Sequence, residues 1–350
     1  MHMADALISP AVGGSMFAVT AGLVAYSSKK LKENLDDKVI PLMGVLGAFI
    51  FAGQMINFTI PATGSSGHIG GGMLLSILLG PYAAFITIAS VLIIQAFFFA
   101  DGGLLALGCN IVNMGLFPCF ICYPLIYKKI AGSGIDRKKI FIGTTLAVVV
   151  GLQMGAFSVV LETLASGISA LPFKTFVILM QPIHLAIGFV EGIATSAIIL
   201  FIYNAQPELA AGPAGLSENS AVFPAKKVFI GLITGAIILG GMFSWFASSH
   251  PDGLEWSMFK TAGVEELEGP EQGVHSLFKS IQEKTAFLPD YSFRIPENAP
   301  KEEGEASWPA INSGTSVSGI VGGVLTLLLA LLAGFILKKR KIVAVNNKNQ

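Results

Sequence analysis

Residues 72–100 read GMLLSILLGPYAAFITIASVLIIQAFFFA, and how they cross a bilayer decides how the whole chain is threaded. The run is apolar throughout. A hydrocarbon core about 30 Å thick takes roughly 20 helical residues, so this stretch is too long for one untilted helix and too short for two full ones. Gly80-Pro81 interrupts it, and proline removes a backbone donor that a continuous helix needs. Lipid cannot satisfy freed backbone groups, so such a break is tolerated only inside protein or beside a cavity. The segment is expected as two short passes, or one re-entrant pair, breaking near Gly80-Pro81.

Working outward, further apolar spans are expected at roughly 9–28, 39–60, 104–127, 139–162, 175–203, 227–247 and 316–337. Basic residues settle the count. Lys29, Lys30 and Lys32 follow the first span; Lys128, Lys129, Arg137, Lys138 and Lys139 fall between later ones; Lys226, Lys227 and Lys338 through Lys341 follow. Placing every cluster in the cytoplasm obeys the positive-inside rule and requires an even number of crossings between residues 61 and 103. That predicts nine passes, with the N-terminus outside and the C-terminus inside. The expected fold class is an all-α polytopic membrane protein. A seven-pass bundle occupies 1–203 and a turn-rich cytoplasmic linker 204–226. A two-span hairpin, 227–350, surrounds an external segment, 248–314.

Composition agrees. At 53% hydrophobic and 13% charged, the 350-residue chain is not a soluble globular protein. Its 40 glycines suit closely packed transmembrane helices. Net charge is zero, which argues against a nucleic-acid partner. No basic stretch precedes the first apolar run and no small-residue cleavage site follows it, so no removable signal peptide is expected. Segment 248–314 carries a net charge of −7 and reads as an acidic, solvated loop. Cys109, Cys119 and Cys122 lie in one apolar span and read as packing residues.

The chemistry starts at Met1-His2. A free α-amine, the deprotonated His2 amide and the His2 ring can close on one ion as fused chelate rings. Three nitrogens from two residues want a fourth, and planar all-nitrogen sets suit Ni(II) or Cu(II) rather than Mg or Ca. His68 lies in the glycine-rich loop Thr63 to Gly72, on the same outer side by the topology above, and is the candidate fourth donor. The loop lacks the Gly-Lys-Ser/Thr ending of a phosphate cradle, which argues against nucleotide binding. His184 and Glu191 are seven residues apart on one helix face, a proton relay, a second metal site or a structural polar pair. Asp101 marks an external turn. Gln54, Asn57, Asn110 and Asn113 are polar within apolar helices, suited to lining a path or orienting a ligand. No catalytic motif is present, so recognition or transport is favoured over an enzyme. Two rivals use the same residues: a self-sufficient proton-coupled cation carrier built on Glu191, His184 and Asp101, and an intramembrane metallohydrolase built on His68, His184 and Glu191.

Several motifs occur together: Met1-His2-Met3-Ala4-Asp5, Gln54-Met55-Ile56-Asn57-Phe58, Gly64-Ser65-Ser66-Gly67-His68, Phe99-Ala100-Asp101-Gly102-Gly103 and His184-Leu185-Ala186-Ile187-Gly188. In combination they resemble the CbiM/NikM family, the substrate-binding membrane components of energy-coupling factor transporters for cobalt and nickel. The resemblance covers about residues 1–203. Pro251-Asp252-Gly253-Leu254-Glu255, with its flanking spans, resembles the small CbiN/NikN component or PDGLE domain. The resemblance implies a fused protein whose metal is held by the Met1 amine, the His2 nitrogens and the His68 ring. Asn57, Asp101, His184 and Glu191 are then candidates for a supporting shell or pathway. It further implies Ni(II) or Co(II) as transported substrate with no permanently bound cofactor. The expected partners are a Q/T-type transmembrane coupling subunit and cytoplasmic O/A-type ATPase subunits, in a prokaryotic plasma membrane, with cobalt supplied to cobalamin biosynthesis.

Overall fold

The computed structural model describes residues 2–34, 37–132, 136–206, 226–270, 272–294 and 308–338. Met1, most of the 204–226 linker and the basic tail beyond Lys338 lie outside the described residues. The helices are α1 (Pro10–Asn34), α2 (Val39–Gln54), α3 (Gly72–Leu79), α4 (Pro81–Phe99), α5 (Leu107–Ala131), α6 (Arg137–Ser166) and α7 (Phe173–Ala205). They continue with α8 (Lys226–Gly241), α9 (Gly253–Ala262), α10 (Val274–Thr285) and α11 (Ser313–Leu337). Among the described residues, α1, α4, α5, α6, α7 and α11 are long and apolar enough to cross a membrane, and α2 and α8 are shorter apolar helices.

The break in 72–100 falls at Gly80, whose φ of 76° and ψ of 165° suit glycine alone. Pro81 then opens α4 from the first helical position, where its missing N–H costs nothing. Gly80 N–H still donates to Ser76 O at 3.0 Å, and Gly80 O accepts from Ala84 N–H at 3.0 Å. Both backbone groups of Gly80 are thus paired, and Gly80 is buried in protein. At eight residues, α3 is about 12 Å long and cannot span a bilayer alone. In α5, wide π-type turns accommodate Pro118 and Pro124.

One element departs from the all-helical expectation. The predicted span 39–60 ends as a helix at Gln54, and Phe58–Ile60 forms a strand, β1, paired antiparallel with Ser65–Gly67, β2. Phe58 faces Gly67, Thr59 faces Ser66 and Ile60 faces Ser65. Pro61 disfavours the helical region at Ile60, and β-branched Thr59 and Ile60 fit a pleated surface. This hairpin presents His68 at its exit.

Segment 248–314, expected as an external solvated loop, is more than a loop among its described residues. The Asp252 carboxylate accepts from Leu254 N at 2.7 Å and Glu255 N at 3.0 Å, while Glu255 Oε2 accepts from Asp252 N at 2.8 Å. This capping box starts α9, whose Leu254 and Met258 bury against Met180, Ile183 and Ile187 of α7. On α10, buried His275 places Nε2 2.9 Å from Ile8 O, and Gln282 donates to Ala96 O and Gly102 O at 2.9 and 2.8 Å. The acidic stretch around Glu265, Glu266 and Glu268 is exposed as expected. Below, α11 lies against α2, where Gly47 meets Thr326 and Gly322 sits on Phe51.

Candidate metal centre

The N-terminal segment is drawn inward by its own backbone. Met3 N donates to Asn110 Oδ1 at 2.8 Å, and Asn110 Nδ2 and Gly103 N donate to Met3 O at 3.2 and 2.9 Å. Asp5 Oδ1 accepts from Ala106 N at 3.0 Å. A side-chain amide matched to the N–H and C=O of one residue reads position in the chain, not side-chain identity. Met3 is completely buried, and His2 follows it in with a side chain only 8% exposed.

The His68 loop is fixed from three directions. Gln54 Nε2 donates to Gly70 O at 2.9 Å and is itself held by Gln95 Nε2, which donates to Gln54 Oε1 at 2.8 Å. From α7, Glu191 Oε1 accepts from Gly71 N at 2.9 Å. From segment 248–314, Pro251 O and His250 O accept from Ser66 N and Ser66 Oγ, both at 2.8 Å, and Trp256 Nε1 donates to Thr63 O at 3.0 Å. His68 Nδ1 lies 3.0 Å from Ile69 O, so that nitrogen carries the proton and Nε2 keeps its lone pair.

These supports bring His2 and His68 together. Their rings stack with centroids 5.1 Å apart and planes 15° from parallel. His2 Nδ1 is 3.1 Å from Asp101 Oδ1, and the other Asp101 oxygen accepts from the Tyr291 hydroxyl. His2 Nε2 is buried without a hydrogen-bond partner among the described residues. Burial lowers the His2 pKa to about 3 and that of His68 to about 4, so both rings are neutral bases at pH 7. Burial also raises Asp101 above the ordinary carboxylate range.

His184 and Glu191 do not pair with each other. His184 Nδ1 bonds Met180 O at 2.8 Å and Glu191 turns to the backbone of the His68 loop. Asn57 supplies its backbone carbonyl to Ser248 N at 2.7 Å. Asn113 donates to Glu162 at 2.8 Å behind Met3. Reading the residues alone missed Asp252 and Tyr291, which segment 248–314 delivers to the cradle: Tyr291 to Asp101, and Asp252 to a cavity shared with His68. The Asp-x-x-Glu capping pattern was legible in sequence; its placement beside His68 was not. Among the described residues no three His, Cys, Asp or Glu side chains converge as a metal site.

Residues 2–209 match the sequence model of the cobalt uptake substrate-specific transmembrane region, CbiM. The chain belongs to the CbiM family. Residues 226–339 match the PDGLE domain. Over 331 residues the chain is 29% identical to the NikMN protein of Archaeoglobus fulgidus, covering 94% of this chain and 96% of that one. The fused nickel transport protein NikMN of Rhodobacter capsulatus is also 29% identical, over 86% of this chain and 91% of its own. A crystal structure of a truncated transition metal transporter superposes with a TM-score of 0.52 at 28% identity, covering 59% of this chain and 99% of that one. This CbiM-family chain is accordingly a multi-pass membrane protein of the nickel and cobalt transport group, with a PDGLE domain fused behind it.

Proposed function

We propose that the chain is the substrate-capturing membrane component of an energy-coupling factor transporter for Ni(II) or Co(II). It takes the ion from outside through the Met1 amine, the His2 amide and ring nitrogens, and the His68 ring. The observation that carries this reading is the stacked His2–His68 pair, two neutral imidazoles held by Asp101 and by the Ile69 carbonyl. Ligating imidazoles characteristically give their other N–H to a carboxylate or carbonyl, which fixes the ring and raises its basicity. A six-membered chelate with the His2 amide closes through Nδ1. In this reading the ion takes the Nδ1 position that Asp101 holds in the metal-free chain. Four nitrogens in a plane favour Ni(II) and admit Co(II), while excluding hard cations.

Energy comes from partners in this reading: a transmembrane coupling subunit and cytoplasmic ATPases. Support lies on α1, which turns Ala11, Gly14, Ala18, Ala21, Gly22 and Ala25 outward, with nothing within 4 Å of a Cβ at Gly14 or Gly22. Small residues at helical spacing let another helix approach closely. The basic clusters support nine passes, counting α3 as the short one, with the N-terminus outside, the C-terminus in the cytoplasm and the last two spans as a hairpin in a prokaryotic plasma membrane.

The test is metal binding by purified protein with an authentic N-terminus. Three glycines added before Met1, His2→Ala and His68→Ala are each expected to abolish high-affinity Ni(II) binding; one glycine would not serve, because it would place the histidine third from the amine and build a new four-nitrogen chelate. Full affinity in the extended chain would sink the chelate. The proton-coupled rival predicts uptake by proteoliposomes holding this chain alone, driven by a pH gradient without ATP. No such uptake is expected.

A further inference from the structure

His184 repeats the arrangement of the two proposed ligand histidines. Its Nδ1–H is committed to a backbone carbonyl, Met180 O at 2.8 Å, so Nε2 carries the lone pair. That nitrogen is buried on a residue 1% exposed and has no hydrogen-bond partner among the described residues. A purely structural histidine at this depth would be expected to satisfy both nitrogens. The ring lines a cavity of about 10 Å³ with His68 and Asp252 on its other walls, Met114 and Leu152 below, and Gly253 at its edge. That is room for one water-sized occupant. A Cβ at Gly253 would come within 2.9 Å of His184 Cε1 and 3.2 Å of Nε2, so only glycine lets the PDGLE segment approach the ring.

We infer that this cavity, where the PDGLE segment meets the CbiM-like bundle, is a second divalent-metal position: His184 Nε2 and the Asp252 carboxylate hold Ni(II) or Co(II) beside His68 on its way to the N-terminal chelate. The inference rests on the proposed ligation by His68. Two imidazoles and a carboxylate are a donor set that suits borderline divalent ions. The three side chains line one space without converging to coordination distance, so an arriving ion must draw them together and is held weakly. Weak holding suits transfer. Sharing His68 between the two positions lets the ion exchange ligands stepwise without being released to water.

The test uses the full chain with three glycines added before Met1, which moves the amine away from the histidine and blocks the chelate without placing the histidine third in the chain. Co(II) is titrated by its visible absorption and Ni(II) by competition. The blocked chain is expected to retain one weakly bound Co(II). His184→Gln and Asp252→Asn in that background are each expected to lower the residual affinity by about tenfold or more. Asn caps α9 as Asp does, so Asp252→Asn tests the carboxylate even if the helix partner variant folds poorly. No residual Co(II) binding, or residual binding indifferent to both substitutions, overturns the inference and leaves a buried water as the cavity's occupant. An extended chain that binds as tightly as the native one overturns the chelate instead.

Discussion

Gly253→Ala probes how tightly the PDGLE segment is seated, and its effect can be worked from the geometry. The added methyl lies 2.9 Å from His184 Cε1 and 3.0 Å from Ile187 Cδ1. Carbon atoms rest at about 3.5–4.0 Å, so the overlap is roughly 0.5–1 Å against two side chains that are themselves buried. Overpacking of this kind costs about 1–3 kcal/mol. The gain in helix propensity from alanine, at most about 1 kcal/mol, offsets part of it at the first position of α9. A net loss of about 1–2 kcal/mol makes segment opening roughly 5–30 times more frequent. The reporter is Ser66, whose amide is protected by Pro251 O at 2.8 Å across the interface. Hydrogen exchange over residues 64–70 is expected to accelerate by that factor, while α11, remote from the contact, stays protected. In a His184→Ala background the same substitution should cost less, because one of its two obstacles is gone. Unchanged exchange at Ser66, or an equal cost in both backgrounds, would refute the packing argument.

Asp101→Asn is expected to weaken Ni(II) binding by about 10–100-fold in a competition assay, since the carboxylate orients the His2 ring. Glu191→Ala leaves the Gly71 N–H buried without an acceptor and should cost about 1–3 kcal/mol in thermal unfolding in detergent. Glu191→Gln retains an oxygen for that N–H and should cost clearly less; equal damage from both would instead favour a role for the charge. For pH, the folded-state values of His2 and His68, about 3 and about 4, lie below the ordinary 6.5. The unfolded chain therefore binds more protons between those limits. The contribution to stability is complete above pH 6.5 and is lost as pH falls toward 3. Thermal midpoints of the metal-free protein should decline across that window, and His68→Gln should flatten the decline.

The break at Gly80-Pro81 was legible because proline and glycine act locally: one removes a donor, the other takes a φ of 76° without strain. Apolar runs and their lengths likewise announced the spanning helices. The hairpin of Phe58–Ile60 with Ser65–Gly67 was not legible, because a three-residue strand carries almost no periodicity and its partner is mostly serine and glycine. Segment 248–314 was misjudged for a related reason. Its net charge of −7 dominates its composition, while the contacts that dock it are hydrogen bonds made by its backbone and by Trp256, His275, Gln282 and Tyr291, with a few apolar side chains such as Leu254 and Met258.

By itself, the sequence determined that this chain crosses a membrane many times, that residues 72–100 break at one place, and that His2 and His68 have the chemistry of metal donors. Those properties reside in single residues or in their spacing. Only the tertiary structure decided that His2 stacks on His68 and that Asp101 and Tyr291 orient the first ring. The same holds for Asp252, more than 180 positions away, facing the second. Distant contacts of this kind depend on backbone hydrogen bonds and on a glycine small enough to admit a ring, and neither leaves a pattern along the chain.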